Sequence, residues 1–203
     1  MRSIFMKKVM NFIQNNNDKY DNEQLEIIQY GLESIYITIT KSIIIFFIAF
    51  LMGIVKELFI FMLFYNLIRM PAFGLHATKS SYCLISSTII FIGSTILAKV
   101  IVIPIYIKVI LTVIIILCIY NWAPADTHKR PIVNKKRREI YKTLATIIAI
   151  TFSFTSILIT NQFLANCLII SLLVECFMIS PHVYKLFKLP YNNYKNYLNY
   201  GLN

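Results

Sequence analysis

The feature that most constrains this chain is a series of long apolar runs separated by short charged segments. The runs cover residues 35–55, 58–68, 83–98, 100–120, 143–160 and 163–179. About 20 residues of helix cross a bilayer's hydrocarbon core. Within that core each backbone N–H and C=O must find its partner inside the protein, and a single apolar run can do that only as a helix. The pattern therefore predicts an all-α integral membrane protein with about six transmembrane helices. Composition agrees: 58% of residues are hydrophobic and 14% charged, whereas a soluble domain carries roughly a quarter charged residues. The run at 58–68 is short for a full crossing and is expected to tilt or to stop below the interface.

The flanks read differently. Residues 3–14 set Ile4, Phe5, Met6, Val9, Phe12 and Ile13 around Lys7 and Lys8 at roughly helical spacing. This suits an interfacial amphipathic helix on an anionic leaflet, and equally a helix packed on the bundle. It lacks the apolar core and small-residue end of a cleaved signal, so none is expected. Residues 21–34 look like a polar helix leading into the first span. At 203 residues the chain is expected to be one membrane-embedded domain. Its parts are N-terminal helices over 1–34, a bundle over 35–180, and a tail over 181–203 rich in Tyr, Asn and Lys.

The formal net charge is +11, but the cations do not form a groove that could track phosphates, so nucleic acid is excluded as a partner. Of the 20 Lys and Arg, all except Lys41, Lys56, Lys99 and Lys108 fall before the first run, in 69–79, in 129–142 or in the tail. Lys56 and Lys99 are expected in turns, and Lys41 and Lys108 fall within runs. Basic loops stay in the cytoplasm. The expected topology is multi-pass, with both termini and the 69–83 stretch on the cytoplasmic side of a bacterial cell membrane.

Covalent chemistry is concentrated in that stretch, which holds Arg69, Pro71, Gly74, His76 and Cys83. On a straight helix seven residues would separate His76 and Cys83 by about 10 Å, too far for a hydrogen bond. Pro71 and Gly74 disfavour helix before His76, and Ser80 or Ser81 can cap a helix that starts there. Cys83 would then stand in a first helical turn, where the helix dipole favours a thiolate. An imidazole folded back from the preceding loop could serve as its base, and the free N–H groups of that turn could stabilise an oxyanion. Packing of Cys83 and solvation of His76 are the plain alternatives, and spacing alone does not separate them. Cys118, Cys167 and Cys176 lie inside apolar runs without paired spacing and read as packing residues. No ligand spacing for a metal is present, and no cofactor is expected.

At these residues the chain resembles the AgrB family (accessory gene regulator protein B), bacterial membrane cysteine endopeptidases that mature quorum-sensing peptides. The shared pattern is Arg69, Gly74, His76-Ala77 and Cys83, with a second match at Asn121-Trp122-Ala123-Pro124-Ala125-Asp126-Thr127 before the basic loop. Phe73 departs from it, since many members carry the first glycine of a pair there. The resemblance implies that His76 activates Cys83 to attack a peptide bond in an AgrD-like precursor. The resulting acyl-thioester would be displaced by a thiol or hydroxyl of the precursor, which closes a ring. Such precursors carry an acidic C-terminal tail. Lys129, Arg130, Lys135, Lys136, Arg137 and Arg138 could complement it, or could serve topology alone. Asp126 could orient His76 or cap a turn, and Arg69 could bind a carboxylate or hold the motif loop. Lys108 and Glu175 are charges inside apolar runs, suspects for function, and candidates to pair with each other. A small transporter or a non-catalytic membrane scaffold is the competing class. Monomer and homodimer are both open.

Overall fold

A computed structural model describes residues 9–13, 21–75, 80–127 and 131–195. The chain divides into two compact units, Met1–Leu51 and Met52–Asn203. In the first, residues 9–13 are helical, and the rest of the expected amphipathic helix lies outside the described residues. The polar 21–34 stretch and the first apolar run as far as Leu51 form one continuous helix, α1 (Asn22–Leu51), and the turn that ends it falls at 52–54 rather than at Lys56. Its part Gly31–Leu51 is long and apolar enough to cross a membrane.

The second unit contains α2 (Val55–Ala72), α3 (Ser80–Val100), α4 (Ile105–Trp122), α5 (Lys135–Leu158), α6 (Gln162–Ile179) and the short α7 (Pro181–Leu186). Among the described residues there is no strand, and an isolated parallel bridge joins Phe73 and Ala125. Helices α3, α4, α5 and α6 also meet the length and hydropathy of a membrane span. The protein is thus all-α, with five long apolar helices among the described residues. At 18 residues, α2 is about 27 Å long, longer than its apolar run suggested. Lys56, Glu57 and Arg69 interrupt the hydropathy near its ends without interrupting the helix.

Helix α6 is the centre of the second unit and packs against α2, α3, α4, α5 and α7. Of its residues 61% are buried, against 22% of the apolar stretch in each of α3, α4 and α5. Those three helices turn Ile85, Ile89, Val109, Val113, Leu117, Leu144, Ile147 and Phe154 outward, which is sensible only where the surroundings are lipid. On the inner side α5 presents Ala145, Ala149, Ser153 and Ser156. These small side chains let neighbouring backbones approach closely, the usual means of helix association in a bilayer.

Hydrogen bonds define the two ends of this unit. At one end Lys99 Nζ meets Glu57 Oε1 at 2.8 Å, Asn166 Nδ2 donates to the Ala98 and Ile101 carbonyls at 3.0 and 2.7 Å, and Gln162 Nε2 donates to Ile101 O at 3.1 Å. The other end carries the C-terminus of α2, the first turn of α3, the loop after α4 and the α6–α7 junction.

Candidate active site

The stretch that leaves α2 is held from three sides. Helix α2 continues through Pro71 and ends one residue later, at Ala72. Phe73 then takes φ 63 and Gly74 φ 102, a reversal that favours residues without a Cβ. Gly74 N–H donates to Ala125 O at 2.8 Å, Ala125 N–H to Ala72 O at 3.0 Å, and Leu75 N–H to Met178 O at 3.1 Å. Arg69 closes the arrangement from within. Its Nη2 donates to Leu75 O at 2.7 Å, and its Nη1 lies 3.4 Å from both carboxylate oxygens of Glu175. The Glu175 side chain is fully buried and that of Arg69 is 15% exposed. Tyr65 is buried beside the same carboxylate. A Cβ at Gly74 would collide with Arg69 Nη1 and crowd Met178 O. The glycine is therefore required both by its backbone angle and by the guanidinium lying on it. Phe73 bears the same kind of angle with a full side chain, and its ring packs edge-on against Tyr141 at 5.0 Å.

Cys83 stands in the first turn of α3 and is partly exposed. Ser87 Oγ donates to Cys83 O at 2.6 Å, and the Cys83 and Ser87 side chains are 4.0 Å apart. Cys83 belongs to the same end as the Arg69–Leu75 stretch, because the far end of α3 carries Lys99 beside Glu57.

The loop after α4 is built around a buried carboxylate. Asp126 is 2% exposed and accepts from Asn193 N–H and Tyr194 N–H at 2.8 Å each and from Ile132 N–H at 3.4 Å. Tyr184 OH donates to the Ala125 and Asp126 carbonyls at 3.4 and 3.2 Å, and Tyr191 OH to Trp122 O at 3.2 Å. Burial raises both phenols, Tyr191 to about 12, so they stay protonated donors near neutral pH. Residues 181–195, read from sequence as a tail, thus fold onto this loop, and the loop in turn pairs with Gly74. Arg138 stacks its guanidinium 3.6 Å from the Tyr194 ring centre, and Lys142 lies 4.1 Å above Tyr120.

Residues 6–179 match the sequence model of one family, Accessory gene regulator B. The chain belongs to the AgrB family. An AgrB-like protein of Clostridium acetobutylicum is 28% identical over 196 residues, 95% of this chain and 94% of that one. An AgrB-like protein of Listeria innocua is 30% identical over 179 residues, 88% of each chain. No solved structure matches. Membership in AgrB implies a membrane setting, a peptide precursor as partner and a part in processing quorum-sensing peptides.

Of the residues singled out from sequence, His76, Lys129 and Arg130 lie outside the described residues. Arg69, Gly74 and Asp126 are drawn into one hydrogen-bonded assembly. Lys135, Lys136 and Arg137 are exposed at the start of α5, where Asn134 caps the helix by accepting from Arg137 N–H at 3.1 Å. One expectation is corrected: Lys108 and Glu175 do not pair. Glu175 takes Arg69, while Lys108 Nζ donates to Ser156 O at 3.4 Å. The reason is packing: α6 lies against α2, and one turn from their shared end Glu175 meets the cation of α2. Cys167 and Cys176 are buried, and all four cysteines are free thiols. Tyr184 and Asn193 were missed. Their composition suggests a solvated tail, and no local pattern marks them as partners of a loop some sixty residues earlier.

Proposed function

We propose that this AgrB protein is a membrane cysteine endopeptidase acting on an AgrD-like precursor. The observation that carries the reading is the position of Cys83, a partly exposed thiol in the first turn of α3, a few residues beyond a rigidly held Arg69–Leu75 stretch. His76 accepts the thiol proton, and the Cys83 sulfur attacks the carbonyl carbon of the scissile bond. The N–H groups of the α3 turn stabilise the oxyanion. His76 then protonates the departing amine, which leaves with the precursor's C-terminal part, and an acyl-thioester remains on Cys83. A thiol or hydroxyl within the precursor attacks this thioester and passes its proton to His76 and on to the Cys83 sulfur. The Cys83 thiol is regained, and a thiolactone or lactone ring leaves.

The precursor's acidic tail is taken by the exposed Lys135, Lys136 and Arg137 together with Lys129 and Arg130. Basic residues gathered at this end favour a cytoplasmic location. Arg69 has its guanidinium engaged within the protein, which supports the loop-holding role over precursor binding. Asp126 likewise has its carboxylate committed to backbone N–H groups, which supports the turn-capping role.

Co-expression of the candidate precursor with wild type, Cys83→Ser and His76→Ala, followed by mass spectrometry, tests the reading. Cleavage by wild type alone, with both variants present in the membrane, is the expected result. Equal processing by all three, or by none, would turn the reading towards a transporter or scaffold.

A further inference from the structure

The proposed mechanism uses Cys83 and His76, yet a carboxylate buried in the membrane-spanning bundle remains without a task. Glu175 has a fully buried side chain on the central helix, and a charge in such a place is costly unless it does something. What it does is visible in its partner. Arg69 divides its guanidinium between Glu175 and Leu75 O, and the same group lies where a Cβ of residue 74 would stand. Leu75 thereby has both backbone polar groups committed, its N–H to Met178 O and its C=O to Arg69. Gly74 N–H is committed to Ala125 O. Leu75 is the residue immediately before His76.

We propose that Glu175 is a positioning residue: it keeps the Arg69 guanidinium on the Leu75 carbonyl and so sets the fixed point from which the chain enters the His76–Cys83 segment. The inference rests on the peptidase reading and adds a residue to it. Without the carboxylate, Arg69 is left as a partly buried cation without its counter-charge, with a long stem that can carry it toward the aqueous end. The Leu75 carbonyl then loses its donor and the segment loses one of its three anchors. Misplacement of a catalytic group by an ångström lowers turnover rather than substrate binding.

The test compares wild type, Glu175→Gln, Glu175→Asp and the apolar pair Arg69→Met/Glu175→Leu in proteoliposomes with a synthetic AgrD-like precursor. The apolar pair removes both charges together and guards against a variant that merely fails to fold. The expected result is a fall in kcat of about 10- to 100-fold for Glu175→Gln and for the apolar pair, KM within about twofold of wild type, and partial recovery in Glu175→Asp. Alkylation of Cys83 by a water-soluble maleimide, read by peptide mass spectrometry, is expected to slow in parallel. Wild-type turnover in either Glu175→Gln or the apolar pair overturns the inference. A loss confined to KM, or one that follows the unfolded fraction alone, also overturns it. A wild type that leaves the precursor whole overturns the peptidase reading instead. The alkylation rates then still decide on Glu175, because equal rates in wild type and Glu175→Gln overturn its positioning role.

Discussion

Lys99 and Glu57 meet at 2.8 Å at one end of the bundle, and Arg69 and Glu175 at 3.4 Å at the other. The shorter contact is the weaker device. Its side chains are 50% and 24% exposed, so water and salt screen the attraction and either partner keeps its hydration when the other is removed. The longer contact has side chains 15% and 0% exposed, so removing one partner strands the other in a poorly polarisable interior. Surroundings, more than distance, decide what an ion pair does. The exposed pair tacks two helix ends together, and the buried pair holds a backbone segment in place.

The largest way to break this comparison is Glu175→Ala. It is expected to cost about 3–5 kcal/mol, read as a lower thermal unfolding midpoint in detergent micelles. A loss as small as that from Glu57→Ala would erase the distinction. Next comes Asp126→Ala, which strips the acceptor from Asn193 N–H and Tyr194 N–H. About 1.5–3 kcal/mol is expected, together with faster proteolysis within 181–195. Unchanged protease resistance would show that the carboxylate does not tie this segment down. Gly74→Ala should cost about 1–3 kcal/mol through its backbone angle and its collision with Arg69, and precursor processing should fall with it. Full processing by this variant would mean that the guanidinium does not need the space. The smallest effect belongs to Glu57→Ala and Lys99→Ala, each below about 1 kcal/mol and vanishing in high salt. A salt-resistant effect there would show that the exposed pair is less hydrated than its geometry suggests.

The helices were largely legible from sequence because hydropathy is a local sum. The charged ends of α2 show the limit: Lys56, Glu57 and Arg69 shorten the apolar run but not the helix, since helical hydrogen bonds are indifferent to what the side chains carry. Cys83 drew attention by residue type beside a helix break, and Arg69, Gly74 and Asp126 through the resemblance to AgrB. Their partners were not legible. Glu175 could be marked as suspicious by being charged in an apolar run, but the choice between Lys108 and Arg69 depends on which helix lies against α6 and at what depth. Tyr194 carries no signal at all, because what it offers Asp126 is backbone N–H, which every residue but proline possesses, and Asn193 adds to its own N–H only a side-chain amide 3.4 Å from the carboxylate.

By itself the sequence determined that this chain forms membrane-spanning helices, gathers its basic residues in a few segments and carries one reactive-looking Cys and His beside a helix break. Each of these follows from residues within a turn or two of one another. Only the tertiary structure decided that Arg69 faces Glu175, 106 positions away, that Gly74 pairs with Ala125, and that residues 181–195 close over the loop after α4. Those choices arise from helix packing, where small side chains and buried charges select partners at long sequence range, and no local periodicity encodes that selection.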